Sequence, residues 1–290
     1  MAKLEIVARP ADCDSYGHVN NAVFASYFEA ALAQTFADLG FEGEWQPDGP
    51  VAWQPLSLHL EYRQPATSRQ RLTARVWATA YSLTGATAAA EPTFYSEITR
   101  PDENDDVVSI LRASGRWQRR RVHDGEPLLP PDGLLAAFRA QTNGHRPRDF
   151  DLPPDDPAVR RYQWCHQVEI GEVNPQRRAH IQSVYQWLQA GVYHASAEAG
   201  WPQARWREVG FGVVQTRHDT QFKAWPYLDE ELEVVSCLAE VRRWRGTWLQ
   251  EVRRRHDGTL LLRNYSTGVF LNEEGRPGEP PAELFEDIRG

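Results

Sequence analysis

An acidic residue, a glycine turn and an imidazole lie within five positions of one another near the start of the chain. They belong to the stretch DCDSYGHVNN, which covers residues 12–21. Asp14 and His18 carry side chains that transfer protons or attack carbon near neutral pH, and Gly17 between them permits a left-handed backbone. This combination is typical of a catalytic loop. The plainer interpretation is that Asp12 or Asp14 shapes a turn and His18 packs as a half-buried residue.

The residues that follow predict a helix over residues 21–39. Asn20 and Asn21 supply capping groups for its first N–H donors, and Gly40 ends it. Because a helix N-terminus favours negative charge, the loop lies where attack on a carbonyl would be assisted. Apolar side chains recur at steps of three and four, which predicts one buried helix face. They are Val23, Phe24, Tyr27, Phe28, Ala31, Leu32, Thr35, Phe36 and Leu39.

Composition limits the class of protein. A chain of 290 residues is long enough for two domains, and 41% hydrophobic residues are enough for two cores. Residues 1–150 carry 15 basic against 19 acidic residues, and residues 151–290 carry 17 against 21, so neither half predicts a nucleic-acid binder. Three widely spaced cysteines favour a reducing compartment. No apolar run is long enough for a signal peptide or a membrane span, so we expect a cytoplasmic protein without membrane partners.

The two halves of the sequence repeat one plan. Residues of the first helix recur 160 positions later in a helical pattern over about 182–199, as in Tyr27 with Trp187 and Gly40 with Gly200. Each half ends in acid-Gly-x-Pro-x-x-Pro-Pro-x-x-Leu, at residues 124–134 and 274–284. These matches indicate an internal duplication. Strand patterns follow each helix, at about 54–63, 70–81, 87–99 and 106–118, and at about 213–224, 231–242, 246–256 and 259–271.

One helix followed by four strands, twice, predicts an α+β fold in which an antiparallel sheet wraps a central helix in each half. We predict a first unit over residues 1–140 and a second over residues 161–290. Residues 141–160 are rich in proline and charge and predict a linker.

The second copy has lost the chemical groups of the first. Asn174 stands at the position of Asp14, Arg177 at that of Gly17 and Arg178 at that of His18. We therefore predict one active site per chain and a packing role for the second turn. Alternatively, the two arginines bind a phosphate, for which guanidinium groups are well suited.

The run Asp-x-Asp-x-x-Gly-His-Val-Asn-Asn, continued by Phe-x-x-Tyr-Phe-Glu, resembles the hot-dog-fold thioesterases. The 4-hydroxybenzoyl-CoA type carries a similar Asp-x-x-Gly turn, and the acyl-acyl-carrier-protein type carries Asp-x-Asn-x-His-Val-Asn-Asn. The resemblance implies a tandem double hot-dog, in which the first unit bears the catalytic motif and the second is degenerate. It also implies hydrolysis of an acyl thioester.

The resemblance assigns roles to the loop residues. Asp14 acts either as a nucleophile, through a transient anhydride, or as the general base that activates water. The peptide N–H of Asn21 binds the thioester oxygen as it becomes negative, and His18 orients water or protonates the leaving thiolate. The residues assigned to substrate binding are Tyr16, Gly17, Asn20 and Phe24.

The implied partner is an acyl-CoA or acyl-carrier-protein thioester, and the chain would require no cofactor. The histidines lack metal-ligand spacing, so we predict no metal site. The sequence leaves open whether such chains form a homo-oligomer and which acyl group the substrate carries. Arginine runs at residues 116–121 and 253–255 predict solvated strand edges or a docking patch for coenzyme A or an acidic carrier. The competing functions are a hydratase or dehydratase on the same fold and a non-catalytic acyl-binding protein.

Overall fold

The structure is a computed structural model that describes residues 3–78, 91–139 and 152–290. The chain divides into two compact units; among the described residues the first contains 3–139 and Asn174–Gln176, and the second contains 152–173 and 177–290. In the described ranges, none of the helices is long and apolar enough to cross a membrane.

The first unit is an antiparallel sheet with one long helix. Its sheet order is β1-β3-β4-β5-β2, and the short strand β6 pairs with β5. The long helix, α1, contacts β1 and β3. The strands are β1 (Lys3–Val7), β2 (Val51–Tyr62), β3 (Arg71–Ala78), β4 (Thr93–Pro101), β5 (Val107–Arg121) and β6 (Pro127–Leu128), and the helices are α1 (Asn21–Asp38) and α2 (Leu134–Arg139).

The second unit repeats this order as β7-β9-β10-β11-β8, again antiparallel throughout. Its long helix, α3, contacts β7 and β9. The strands are β7 (Tyr162–Gln167), β8 (Gly212–Phe222), β9 (Glu231–Arg242), β10 (Arg245–Arg254) and β11 (Leu260–Leu271), and the helices are α3 (Ile181–Glu198), α4 (Gln203–Glu208) and α5 (Ala282–Arg289).

The duplication predicted from the sequence is confirmed. Helices α1 and α3 have the same length and begin 160 residues apart, and the first, third, fourth, fifth and second strands of each unit follow one another in the same sheet order. The predicted long strands are present within a few residues of their expected bounds. The parts of the predictions that fall on residues 79–90 lie outside the described residues.

Two features differ from the prediction. Helix α1 is buried on all sides in its first turn, where Ala22, Val23, Phe24 and Ala25 are all buried, whereas from Tyr27 to Phe36 its buried residues keep to the predicted face. The edge strands β1 and β7 were not predicted, because a strand of five or six residues shows too few alternations to stand out.

The first half of the predicted linker, residues 141–151, lies outside the described residues. The second half runs against the second unit. Val159 packs with Cys237, Leu249 and Tyr265, and the N–H of Arg160 donates to the carbonyl of Arg289 at 3.0 Å.

The core of the first unit is aromatic. The Phe36 ring lies 5.3–5.7 Å from the rings of Trp45, Trp53, Phe94 and Phe138. Edge-to-face contacts at this spacing add specific attraction to the burial of apolar area. They hold the C-terminal half of α1 against the sheet.

The core of the second unit contains a buried histidine. His218 is 7% exposed, its Nδ1 lies 3.3 Å from Oδ1 of Asn264, and its ring lies 5.0 Å from that of Tyr185. Burial disfavours the charged imidazolium and lowers the pKa of His218 to about 4, against smaller opposing effects of the Asn264 contact and the Asp219 charge.

This burial predicts acid sensitivity. As pH falls below the ordinary histidine pKa of 6.5, His218 takes up a proton in the unfolded chain but not in the folded one. The stabilisation present above that pH is therefore lost progressively down to about pH 4. A shift of this size corresponds to about 3 kcal/mol at most. Chemical denaturation at pH steps across this window should show the decline.

The decrease in the free energy of unfolding per pH unit, called the slope below, should be smaller in the His218→Gln variant than in the unmodified protein. His256, whose side chain is 72% exposed, provides the matched control, and His256→Gln should retain the full slope. Equal slopes in all three proteins would show that His218 does not set the acid sensitivity.

Candidate active site

The predicted catalytic loop is a closed turn between β1 and α1. The N–H of Asp14 donates to the carbonyl of His18 at 2.8 Å, and the N–H of Gly17 donates to the carbonyl of Asp14 at 3.0 Å. Gly17 has a φ of 79°, a left-handed value that glycine adopts without steric cost. The turn thus brings Asp14 and His18 together through their backbones.

The side chains of this turn differ in their surroundings. Oδ1 of Asp14 accepts the N–H of Tyr16 at 2.9 Å, and Oδ2 accepts no hydrogen bond from the described residues. Asp14 is half-buried, whereas His18 and Tyr16 are exposed. The His18 imidazole makes no hydrogen bond to the described part of the chain. One oxygen of Asp14 therefore shapes the turn while the other is available for chemistry.

The N-terminus of α1 follows directly. Asn20 is the N-cap, and its Oδ1 accepts the N–H of Ala22 at 2.9 Å. Its carbonyl accepts the N–H of Val23 at 2.9 Å. The N–H of Asn21 has no acceptor among the described residues, and such first-turn donors have no partner within their own helix. It is the donor in this turn that a developing oxyanion could use.

A buried carboxylate that the sequence prediction treated as a turn former holds this loop in place. Asp12 is 4% exposed. Its Oδ2 accepts the backbone N–H of Arg9 and the hydroxyl of Tyr27, both at 2.8 Å, and its Oδ1 accepts Nη2 of Arg9 at 2.7 Å. Its carbonyl accepts the N–H of Asn20 at 2.8 Å. Asp12 therefore joins the segment that follows β1, the loop and α1.

The electrostatics of this anchor favour the charged acid. Burial raises the pKa of Asp12, but hydrogen bonds from Arg9 and Tyr27 and the Arg9 charge outweigh burial, so the pKa lies below its ordinary value. Burial and the neighbouring carboxylate raise the pKa of Tyr27, which keeps its hydroxyl protonated as a donor.

Two further contacts fix the loop and the first helical turn from the sheet side. The N–H of Val19 donates to the carbonyl of Ala66 at 2.7 Å. The hydroxyl of Tyr62, at the end of β2, donates to the carbonyl of Asn21 at 3.0 Å. Phe24, predicted to bind substrate, is only 3% exposed, and its ring centroid lies 6.0 Å from that of Tyr62. The sequence prediction did not include Tyr62, because its partner lies 41 residues away.

The second unit contains the same loop without its functional groups. Val173 and Ala179 pair as Cys13 and Val19 do, and Arg177 adopts a φ of 61° where Gly17 stands in the first copy. The left-handed turn is therefore retained without glycine.

The two arginines of this second loop have protein partners. Nη2 of Arg177 lies 2.9 Å from Oδ2 of Asp229, and the Arg178 guanidinium lies 5.2 Å from the ring centroid of Trp225. These contacts favour the packing interpretation of the second turn over phosphate binding.

The arginine runs are likewise paired. Arg119 contacts Glu44, and Arg121 contacts Asp124. In the second run Arg253 pairs with Glu251. Such pairs on strand ends leave little excess positive charge, which favours the solvated-edge interpretation of these runs.

A cavity of about 440 Å³ lies in the first unit. Its lining includes Glu61 and Arg112, which are cross-strand neighbours. Side chains alternate along a strand, so Glu61 projects away from the sheet face on which Tyr62 meets α1. The cavity thus belongs mainly to the opposite face of the sheet from Asn21. Within the described ranges there is no group of three or more His, Cys, Asp or Glu residues that could hold a metal ion.

Comparison with known proteins identifies the architecture. A 12:0-ACP thioesterase from Umbellularia californica has a TM-score of 0.67 at 9% identity, covering 95% of this chain and 94% of that one. An acyl-ACP thioesterase from Bacteroides thetaiotaomicron has a TM-score of 0.65 at 13% identity, covering 93% and 97%. The chain has the tandem double hot-dog fold of these structures.

A family model matches the sequence of the first unit. Residues 8–138 match the model of the Thioesterase-like superfamily. No curated protein matches the chain.

The anchor at Asp12 generates a prediction about stability. Tyr27→Phe removes the donated hydroxyl and keeps the ring, so the free energy of unfolding should fall by about 1.5–3 kcal/mol, as for a hydrogen bond to a charged group. Tyr16→Phe, which changes an exposed hydroxyl, should alter it by less than about 0.5 kcal/mol. Equal effects of the two substitutions, measured by chemical denaturation, would contradict the anchor.

The helix starts generate a second prediction. His180 is the N-cap of α3 and makes no side-chain capping bond, whereas Asn20 caps α1. His180→Asn should therefore stabilise the protein by about 0.5–1 kcal/mol, and Asn20→Ala should destabilise it by about 0.5–2 kcal/mol. Thermal and chemical unfolding of both variants measures the two effects. A loss of stability in His180→Asn would show that the imidazole has another role.

Proposed function

We propose that this chain hydrolyses an acyl thioester of coenzyme A or an acyl carrier protein to a carboxylic acid and a thiol. The observation that carries the proposal is one anchored loop that bears the half-buried Asp14 carboxylate and leads into the N–H of Asn21, which has no acceptor among the described residues. The match of residues 8–138 to the model of the Thioesterase-like superfamily supports it. The fold shared with the two acyl-ACP thioesterases is consistent with it.

Two routes account for the chemistry. In one, Asp14 attacks the carbonyl carbon, the thiolate leaves and water hydrolyses the resulting anhydride. In the other, Asp14 accepts a proton from water, and that water attacks the same carbon. In both routes the carbonyl oxygen gains negative charge that the Asn21 N–H stabilises, and the thiolate takes up a proton, for which the exposed His18 is the nearest imidazole in sequence.

The proposal places one site in each chain. The second loop keeps the turn and the helix start, but Asn174 cannot act as a carboxylate and Arg178 cannot exchange a proton near neutral pH. The second unit therefore acts as scaffold or contributes to substrate binding.

Replacement of Asp14 tests the function. Asp14→Asn keeps the shape of the side chain and removes the base or nucleophile, so thiol release from the best substrate should fall by at least about 100-fold. The substrates are a panel of acyl-CoA and acyl-carrier-protein thioesters, and the release of thiol is measured with a thiol-specific reagent. His18→Ala should also impair turnover.

The matched control is Asn174→Ala at the equivalent position of the second loop, which should leave the chemical step nearly unchanged. A loss as large as that of Asp14→Asn would contradict the one-site assignment. Binding of the panel without thiol release would instead support an acyl-binding protein. Addition of water to an enoyl thioester, again without thiol release, would support a hydratase.

A further inference from the structure

This inference rests on the proposed function, in which the carbonyl oxygen of the acyl group binds the N–H of Asn21. From there an extended chain could enter the protein between a long helix and its sheet. The packing between α1 and its own sheet therefore limits which acyl groups can be accommodated at this site.

In the first unit this route is closed by side chains. Phe24, at 3% exposure, covers the first turn of α1, and its ring lies 5.8 Å from that of Tyr27 in an edge-to-face contact. Behind it Phe28 lies edge-to-face on Trp117 at 6.1 Å. The remaining residues of this layer are at most 1% exposed, so no water-sized void borders them. They include Leu32, Phe36, Leu58, Leu60 and Phe94.

Trp117 completes this closure. A Cβ placed on Gly115 would lie 2.5 Å from Nε1 of Trp117 and 2.6 Å from Cδ2 of Leu58. The indole therefore lies directly over Gly115 and fills the space that its missing side chain leaves. This packing fills the layer between the sheet and α1 at this position.

In the second unit the same layer is closed in a different way. Four residues in cross-strand register form a row in the first unit, Val76, Ser96, Ala113 and Leu60. The corresponding row in the second unit is Ser236, Gln250, Asn264 and Thr220. All eight residues are at most 2% exposed.

The second row is one continuous hydrogen-bonded chain. Nε2 of Gln250 donates to Oγ of Ser236 at 3.3 Å and to the carbonyl of Leu188 in α3 at 2.7 Å. Nδ2 of Asn264 donates to Oε1 of Gln250 at 3.1 Å, and the Thr220 hydroxyl donates to Oδ1 of Asn264 at 2.9 Å. An alkyl chain inserted here would leave several buried polar groups unpaired, which is costly.

The helix also lies too close to this row for a ligand. A Cβ on Gly191 of α3 would lie 2.8 Å from Cγ1 of Val234 and 3.2 Å from Oγ of Ser236. Both inner layers are therefore closed, one by aromatic packing and one by hydrogen bonding.

From the closed inner layer of the first unit we infer that the thioesterase takes compact acyl groups, either a short straight chain or a single ring, and discriminates against long alkyl chains. The Phe24 ring sets the limit, because it covers the first turn of α1 where the acyl group enters.

A chain-length series tests this inference. The substrates are acetyl, butyryl, hexanoyl, octanoyl, dodecanoyl, hexadecanoyl and benzoyl thioesters of coenzyme A, and kcat/KM is measured by thiol release. We expect the maximum at hexanoyl or shorter, or at benzoyl, and a value at least about 10-fold lower for dodecanoyl. A maximum at dodecanoyl or hexadecanoyl would overturn the inference. If none of these coenzyme A thioesters is hydrolysed, and none of the same acyl groups attached to acyl carrier protein is hydrolysed, the proposed function would be overturned instead.

A variant with a smaller side chain at Phe24 tests whether this ring limits the length of the acyl chain. In Phe24→Ala, the ratio of kcat/KM for dodecanoyl to that for butyryl should rise at least about 10-fold. The matched control is Val184→Ala, at the equivalent position of α3, which should leave the ratio unchanged. Circular dichroism establishes that each variant is folded, and Phe24→Leu replaces Phe24→Ala if the latter is not. An unchanged ratio in a folded Phe24 variant would contradict the role of this ring.

Discussion

The geometry of both units depends on a carboxylate, buried in the first unit and half-buried in the second, that ties the segment after the first strand, the loop and the long helix together. Asp12 does this in the first unit. In the second, Glu172 accepts the backbone N–H of Glu169 at 2.8 Å and Nε1 of Trp187 at 2.7 Å, and its carbonyl accepts the N–H of His180 at 2.7 Å. A buried acid is costly unless each oxygen is satisfied, so the acid requires these partners and thereby fixes where the helix begins. The available N–H of Asn21 follows from that placement.

The same anchored scaffold carries two different inner layers. Apolar side chains fill the first unit, and a hydrogen-bonded row with a buried His218 fills the second. Backbone pairing and the carboxylate anchor are common to both, so the register of the sheet does not depend on what fills the layer. This allows one copy to keep the chemical groups of the loop while the other diverges. The polar layer lowers the stability of the protein in acid, because a buried neutral histidine favours unfolding as pH decreases.

The turn at Arg177 shows how strongly the scaffold determines local conformation. Left-handed backbone is unfavourable for residues other than glycine by roughly 1 kcal/mol or more, yet Arg177 adopts it where Gly17 does in the first copy. The surrounding pairs, Val173 with Ala179 and Arg178 with Tyr227, close the turn from both sides. The second copy therefore lacks the glycine that favours a left-handed backbone but keeps the shape of the turn. It lacks the proton-transferring groups, because Asn174 and Arg178 stand at the positions of Asp14 and His18.

The sequence by itself determined the long helices, the long strands, their repetition at 160 residues and the loop that bears Asp14, because these depend on local periodicity and on residue types at fixed spacing. Tertiary structure alone decided that Asp12 is an anchor rather than a turn former, that Tyr62 reaches the first turn of α1, and that the loop of the second copy keeps its shape. It also decided the contrast between the two inner layers, since Ser236, Gln250, Asn264 and Thr220 are separated in sequence and meet only through cross-strand register. Burial and hydrogen-bond partners are properties of packing between distant segments, which local pattern does not specify.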